Sequence, residues 1–265
     1  MIMAAMTMAE NPLVLLERRD GVALLRLNRP QRHNSLVPAL LEALLGALDE
    51  IEADTSVRAV VLTHAGRNFS TGGDVAAFAA QGDGIAAYAS ELLALLNRSI
   101  LRLAALRCPV VAAVEGWLTG GSLGLVLACD MAVLAQDARI APFYTVVGFS
   151  PDGGWTAMLP QLAGPARARG WQLNNTVVAA PDAVAHGLAF ALSAPGAAEA
   201  EAIALARGVA DKVPGSVART RALLRWDAEA LAGGLERERA AFVAQIASAE
   251  TADGMRRFLA GQTRE

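Results

Sequence analysis

Residues that bind metals or form cross-links are scarce, with two cysteines and three histidines in 265 residues. Cys108 and Cys129 each sit in an apolar run with no second Cys or His at ligand spacing, so buried free thiols in a reducing compartment are expected. A zinc site or disulfide is excluded on that pattern. His33, His64 and His186 show no nucleophile or metal spacing and read as surface or loop histidines. Long basic runs are also missing, and the net charge is −3, so no nucleic-acid footprint is present. No apolar run is long enough to span a bilayer: the most apolar stretch, Trp117 to Cys129, is short and broken by glycines. Met1 to Ala9 lacks a positive leader and is read as a frayed start, which leaves a cytoplasmic location as the expectation. Internal repeats and low-complexity linkers are absent as well.

What is there is an apolar chain, 54% hydrophobic and 18% charged, able to bury a large core. Leu13 to Arg18 and Val22 to Leu27 flank Asp20-Gly21 and predict a hairpin. Apolar residues at Leu40, Leu41, Leu44, Leu45, Leu48 and Ile51 then give a helical period. Val57 to Leu62, Pro109 to Val114 and Met131 to Ala135 predict buried strands; Tyr88 to Leu106 and Gly121 to Ala128 predict helices. This alternation implies right-handed crossovers around a largely parallel sheet, an α/β class. Beyond about Pro151 the strand signal fades. Helices are predicted over Gly153 to Leu162, Pro165 to Leu173, Pro181 to His186, Ala197 to Lys212, Ser216 to Leu224, Leu235 to Ser248 and Asp253 to Leu259. Two parts follow, a β/α core over 1–195 and a helical region over 196–265 whose apolar faces suggest subunit packing.

Two glycine-rich segments carry the chemistry, Phe69-Ser-Thr-Gly-Gly-Asp74 and Gly116-Trp-Leu-Thr-Gly-Gly-Ser-Leu-Gly124. Each follows a strand and sits where a helix can begin, so free backbone N–H groups point at whatever lies there. Two such donors converging on one carbonyl stabilise an enolate or tetrahedral oxyanion, with roughly 3 kcal/mol at stake per donor. The competing reading is that these glycines only make tight turns and close helix packing.

These segments, with Leu27-Asn-Arg-Pro-Gln-Arg-His-Asn34, Val57-Arg-Ala-Val-Val-Leu-Thr63, Cys108-Pro-Val-Val-Ala-Ala-Val-Glu115 and Gly254-Met-Arg-Arg-Phe-Leu259, resemble the crotonase (enoyl-CoA hydratase/isomerase) superfamily nearly end to end. The resemblance implies a crotonase-like ββα spiral core with an α-helical C-terminal trimerisation region. It also implies a homotrimer or dimer of trimers, an acyl-CoA thioester as ligand, no membrane partner, and no cofactor beyond the CoA moiety. Carried over, the oxyanion donors are the N–H groups of Gly73 and Gly121. Family hydratases place two glutamates across the substrate; here Gly124 and Tyr144 stand at those positions, which puts ordinary hydration in doubt.

One acid remains in the neighbourhood, Asp152 in Gly148-Phe-Ser-Pro-Asp-Gly-Gly-Trp155. Its alignment position holds the proton-shuttling aspartate of certain family isomerases and the nucleophile of an aryl-CoA dehalogenase branch. Asp152 is therefore the leading catalytic candidate, the alternative being a turn residue or helix N-cap. Tyr144 either donates into the pocket or packs as an amphipathic aromatic. Trp117, Phe143, Phe149 and Trp155 either line an acyl pocket or fill the core. Asp74 is expected to brace its loop and Glu115 to bond neighbouring backbone. By resemblance, Arg32, His33, Arg256, Arg257 and Phe258 contact CoA, with solvated surface charge as the alternative for each Arg. The activity implied is enoyl-CoA isomerisation; hydration, acyl- or aryl-CoA hydrolysis or dehalogenation, and weak acyl-CoA binding stand as alternatives.

Overall fold

The computed structural model describes residues 12–262, so the expectation for Met1 to Ala9 lies outside the described residues. Strands β1 (Val14–Arg19) and β2 (Val22–Leu27) form the predicted hairpin. Asp20 and Gly21 both take positive φ, 53° and 77°, the backbone that a two-residue turn between twisted strands demands. Helix α1 (Pro38–Ala53) buries the predicted leucine stripe and leads into β3 (Ala59–His64), which lies parallel to β2. A short helix α2 (Val75–Ala79) follows the first glycine segment, and α3 (Ile85–Ala105) leads to β4 (Val110–Val114).

The second glycine segment is part strand and part turn. Its start forms β5 (Trp117–Thr119), its glycines a 3-10 turn over Gly120–Ser122, and its end α4 (Leu123–Leu127). Strands β6 (Met131–Ala135) and β7 (Arg139–Ala141) come next, then the one-turn helix α5 (Tyr144–Val147). Beyond it lie α6 (Leu159–Ala163), α7 (Pro165–Leu173), β8 (Val178–Ala179), α8 (Ala180–Ala185) and β9 (Ala191–Ser193). The chain closes with α9 (Ala198–Ala210), α10 (Pro214–Leu224), α11 (Ala228–Ile246) and α12 (Ala249–Gln262).

A six-stranded sheet runs β1-β2-β3-β4-β6-β9, parallel except for the hairpin, and a second sheet runs β5-β7-β8. The strand signal therefore does not end at Pro151. Strands β8 and β9 are two and three residues long, too short to display a period, and are held by register against Ile140 and Leu134. The predicted helix over Gly153 to Leu162 also needs correction, because only its last residues are helical. Gly153 and Gly154 take φ of 60° and 88°, which ends any helical path there.

Helix α9 lays Ala198, Ala202, Ala206 and Ala210 against Val61, Val111, Ala113 and Val133 on one sheet face. Alanines four apart let helix and sheet approach closely. On the opposite face α1, α3 and α11 surround the main core, where Trp155, Phe69 and Phe78 are the largest fully buried side chains. Among the described residues no helix is long and apolar enough to cross a membrane.

Candidate active site

The two glycine segments run side by side. Ser70 N–H donates to Trp117 O at 3.2 Å and Thr119 N–H to Ser70 O at 3.0 Å, a parallel bridge. Past it, a Cβ on Gly72 would meet Thr119 O at 2.8 Å, so only glycine permits this approach. Leu36 N–H donates to Gly72 O and Asp74 N–H to Leu36 O, which turns the Gly73 N–H to the opposite side. Gly121 is the second residue of the 3-10 turn, and its N–H has no acceptor inside that turn. Both residues line one cavity of about 60 Å³, together with Gly72, Gly120, Tyr144 and Asp152.

Asp74 ends the first segment as a brace. It accepts from Ala77 N–H at 3.2 Å and caps α2, while Arg29 and Arg32 pair with it at 3.0 Å each. Burial pulls its carboxyl up, but the Arg32, Ala77 and Arg29 bonds outweigh that and hold it below the usual range. Ser70 Oγ donates to Asn34 O at 2.8 Å, and Ser122 Oγ to Thr119 O at 2.6 Å. Both glycine loops are thereby held by their own hydrogen bonds.

Asp152 stands against Gly121. A Cβ on Gly121 would lie 2.5 Å from Asp152 Oδ1 and 2.7 Å from Leu96 Cδ2. The Tyr144 hydroxyl donates to the same Oδ1 at 2.5 Å and reaches Asp152 O at 3.0 Å. Both side chains are buried, Asp152 at 7% and Tyr144 at 4% exposure. Burial pushes the Asp152 carboxyl up to about 7; the Tyr144 bond opposes this, and the nearby Glu238 charge adds to it. Burial, and then the Asp152 charge, pushes the Tyr144 phenol well above its ordinary value, so it stays a donor. Among the described residues lining the cavity, Asp152 supplies the only carboxyl.

The helix-cap alternative for Asp152 is not what the fold contains, since the N-cap of α6 is Met158 and no side chain caps that helix. Three N–H groups of that turn go to Glu238 on α11, while the Trp155 N–H donates to Asp152 O. Glu238 accepts from Gly154 N–H at 2.7 Å, Thr156 N–H at 2.6 Å, Thr156 Oγ at 2.7 Å and Ala157 N–H at 2.9 Å. Sequence reasoning missed it because Leu235-Glu-Arg-Glu-Arg-Ala240 reads as a solvated face. Phe78 and Phe242, also missed, join Phe143, Phe149 and Phe258 around the cavity. Phe149 and Phe242 stand 5.0 Å apart and Phe78 lies 5.7 Å from Phe149.

Gly124, at the end of the second glycine segment, is sealed. A Cβ there would meet Gly153 O at 2.2 Å and Ile100 Cδ1 at 2.6 Å.

Two pocket aromatics need correction. Trp155 is 1% exposed and lies behind the wall, its Nε1 donating to Gly120 O at 2.7 Å and its ring edge-on to Tyr144. Trp117 packs on Phe143 at 5.9 Å and does not line the cavity. Both are better hydrogen-bonded or stacked outside it. Of the CoA candidates, Phe258 reaches the cavity, Arg32 pairs with Asp74, and His33 Nδ1 bonds Asn68 Nδ2 at 3.1 Å. Arg256 is exposed and paired with Asp253, and Arg257 is exposed. Glu115 accepts from Gly196 and Ala198 N–H, and His64 Nε2 accepts from Glu115 N–H, both away from the cavity.

The fold is that of the crotonase superfamily. The chain belongs to the enoyl-CoA hydratase/isomerase family, whose sequence model matches residues 17–263, and it is an acyl-CoA enzyme of that family. It is 39% identical over 207 residues to a putative enoyl-CoA hydratase of Thermus thermophilus, covering 78% of this chain and 81% of that one. It is 35% identical over 176 residues to 4-chlorobenzoyl coenzyme A dehalogenase-2 of an Arthrobacter species, covering 66% of this chain and 64% of the dehalogenase. An enoyl-CoA hydratase/isomerase from Mycobacterium paratuberculosis superposes with a TM-score of 0.86 at 26% identity, covering 93% of this chain and 98% of that one.

Proposed function

We propose that the protein isomerises enoyl-CoA thioesters, moving a double bond between C3 and C2 of the acyl group with Asp152 as the proton shuttle. The observation that carries this reading is one buried carboxyl facing the cavity beside Gly121, with no second acid at position 124 or 144. The Asp152 carboxylate takes a proton from C2, and the electrons move onto the thioester oxygen, held by the Gly73 and Gly121 N–H groups. The protonated Asp152 then returns the proton to C4, and the double bond settles between C2 and C3. A carboxyl near pH 7 suits both halves of that transfer.

Hydration asks for a water to be held and deprotonated while another group handles the C2 proton. Position 124, packed on Gly153 O, has no room for the group that would do so. In this reading Arg256 and Arg257, exposed in the middle of α12, meet the CoA phosphates, and no cofactor beyond CoA enters. Exposed Leu223, Leu224 and Val213, at 88%, 80% and 70%, suit burial in a homotrimer or dimer of trimers.

A second reading, displacement on an aryl-CoA by Asp152, is favoured by the five phenylalanines lining the cavity. Asp152 would attack a halide-bearing ring carbon, halide would leave, and water would hydrolyse the resulting ester. Incubation with 3-hexenoyl-CoA and 4-chlorobenzoyl-CoA, with Asp152→Asn as control, separates the two: double-bond migration supports the first and chloride release the second.

A further inference from the structure

Glu238 lies outside the cavity lining, yet it is 4% exposed and spends both carboxylate oxygens on the turn that carries Asp152. A buried carboxylate accepting three backbone N–H groups and one hydroxyl is a strong anchor, since charge-assisted bonds are roughly twice as strong as neutral ones. The anchored residues begin two positions after Asp152. Gly153 between them presses on Gly121, where a Cβ would meet Gly121 Cα at 2.4 Å, so the turn cannot shift without moving an oxyanion donor.

We propose that Glu238 is the positioning residue for Asp152: it pins the 154–157 turn so that the Asp152 carboxyl faces the cavity between Gly121 and Tyr144, and it places a fixed negative charge behind that carboxyl. This rests on Asp152 being the proton-transfer group.

The groups facing Asp152 support it. Helix α5 contributes Tyr144, α3 contributes apolar Leu96, the 3-10 turn contributes Gly121, and α11 contributes Glu238. Neighbouring charges on α11 are turned outward, Arg237 being exposed and Arg239 paired with Glu236. A negative neighbour favours the protonated form, so Glu238 raises the proton affinity of Asp152, in the same direction as burial.

The test is the titration of the Asp152 carboxyl, followed by carbon NMR in protein labelled at aspartate and assigned with Asp152→Asn. In Glu238→Gln the midpoint falls. An unmoved midpoint in folded Glu238→Gln overturns the proposal. Glu238→Asp keeps the charge but shortens the reach. Its kcat on 3-hexenoyl-CoA falls about tenfold or more with KM little changed; where that substrate is not turned over, its Asp152 resonance broadens or splits as the turn loosens. An Asp152 signal and rate like those of the unmutated protein would equally overturn the proposal, even if Glu238→Gln does not fold. If Asp152→Asn itself retains isomerase activity, the shuttle reading fails instead.

Discussion

The Tyr144 hydroxyl and the Asp152 carboxyl share a 2.5 Å hydrogen bond inside the protein, with the same Asp152 oxygen set against Gly121 Cα. The phenol gives that acid a donor that cannot itself act as base near neutral pH, because burial and the Asp152 charge hold the phenol protonated.

That bond opposes the pull of burial on Asp152. Removing it in Tyr144→Phe raises the Asp152 midpoint above about 7. In the proposed reaction the carboxylate takes the proton, so the rising limb of kcat/KM against pH moves to higher pH, opposite to the movement expected for Glu238→Gln. A pH–rate profile of the Phe variant checks this; a limb that stays or moves to lower pH contradicts it.

Burial of Asp152 has a stability consequence with a definite sign. Its folded value of about 7 lies above the ordinary 3.8, so between those values the folded chain holds a proton that the unfolded chain has released. Stability therefore falls as pH rises through that window and stays lowered above it. Asp152→Asn removes the effect and stabilises the protein by up to about 4 kcal/mol at pH 8, with little change at or below pH 4. Urea unfolding at the two pH values measures it.

Position 124 offers a check on why the hydratase acid is missing. Gly124→Ala places a methyl 2.2 Å from Gly153 O, which costs about 3 kcal/mol by overpacking. It also pushes the Asp152 turn away from Gly121. Gly124→Glu restores the family residue without conferring hydration of 2-hexenoyl-CoA, and thermal unfolding shows a lowered Tm for both variants. A stable, hydrating Glu variant would contradict the packing argument.

Much of this arrangement is legible in the sequence because it rests on local rules. The hairpin follows from Asp20-Gly21, α1 from its leucine period, and the two donor turns from glycines placed after apolar strands. What escapes is set by contacts far apart in the chain. Strands β8 and β9 are too short to show a period and exist through pairing with β7 and β6. The Gly153-Gly154 turn defeats the helix predicted there because both glycines take positive φ and the Gly154 N–H is taken by Glu238, 84 residues later in the chain. Trp155 looks like a pocket residue by neighbourhood, but its indole is needed by Gly120 O. Asp74, in contrast, makes the local bond that its position suggests, whereas Glu115 accepts from Gly196 and Ala198 N–H, 81 and 83 residues away.

Phe258 joins α12 to the cavity of its own chain. Phe258→Ala opens that wall and removes apolar contact with the acyl group, raising KM for an acyl-CoA about tenfold with kcat less affected. Steady-state kinetics across a chain-length series reads this out. An unchanged KM throughout the series would place the acyl group elsewhere.

Whether one buried carboxyl moves the proton is read from conversion of 3-hexenoyl-CoA to 2-hexenoyl-CoA by the unmutated protein and by Asp152→Asn, with thioester binding measured in parallel. Conversion is expected for the first, a loss of at least about a thousandfold for the second, and binding retained by both. Conversion by Asp152→Asn at the rate of the unmutated protein, or hydration of 2-hexenoyl-CoA with no double-bond migration by either, would contradict the shuttle role of Asp152.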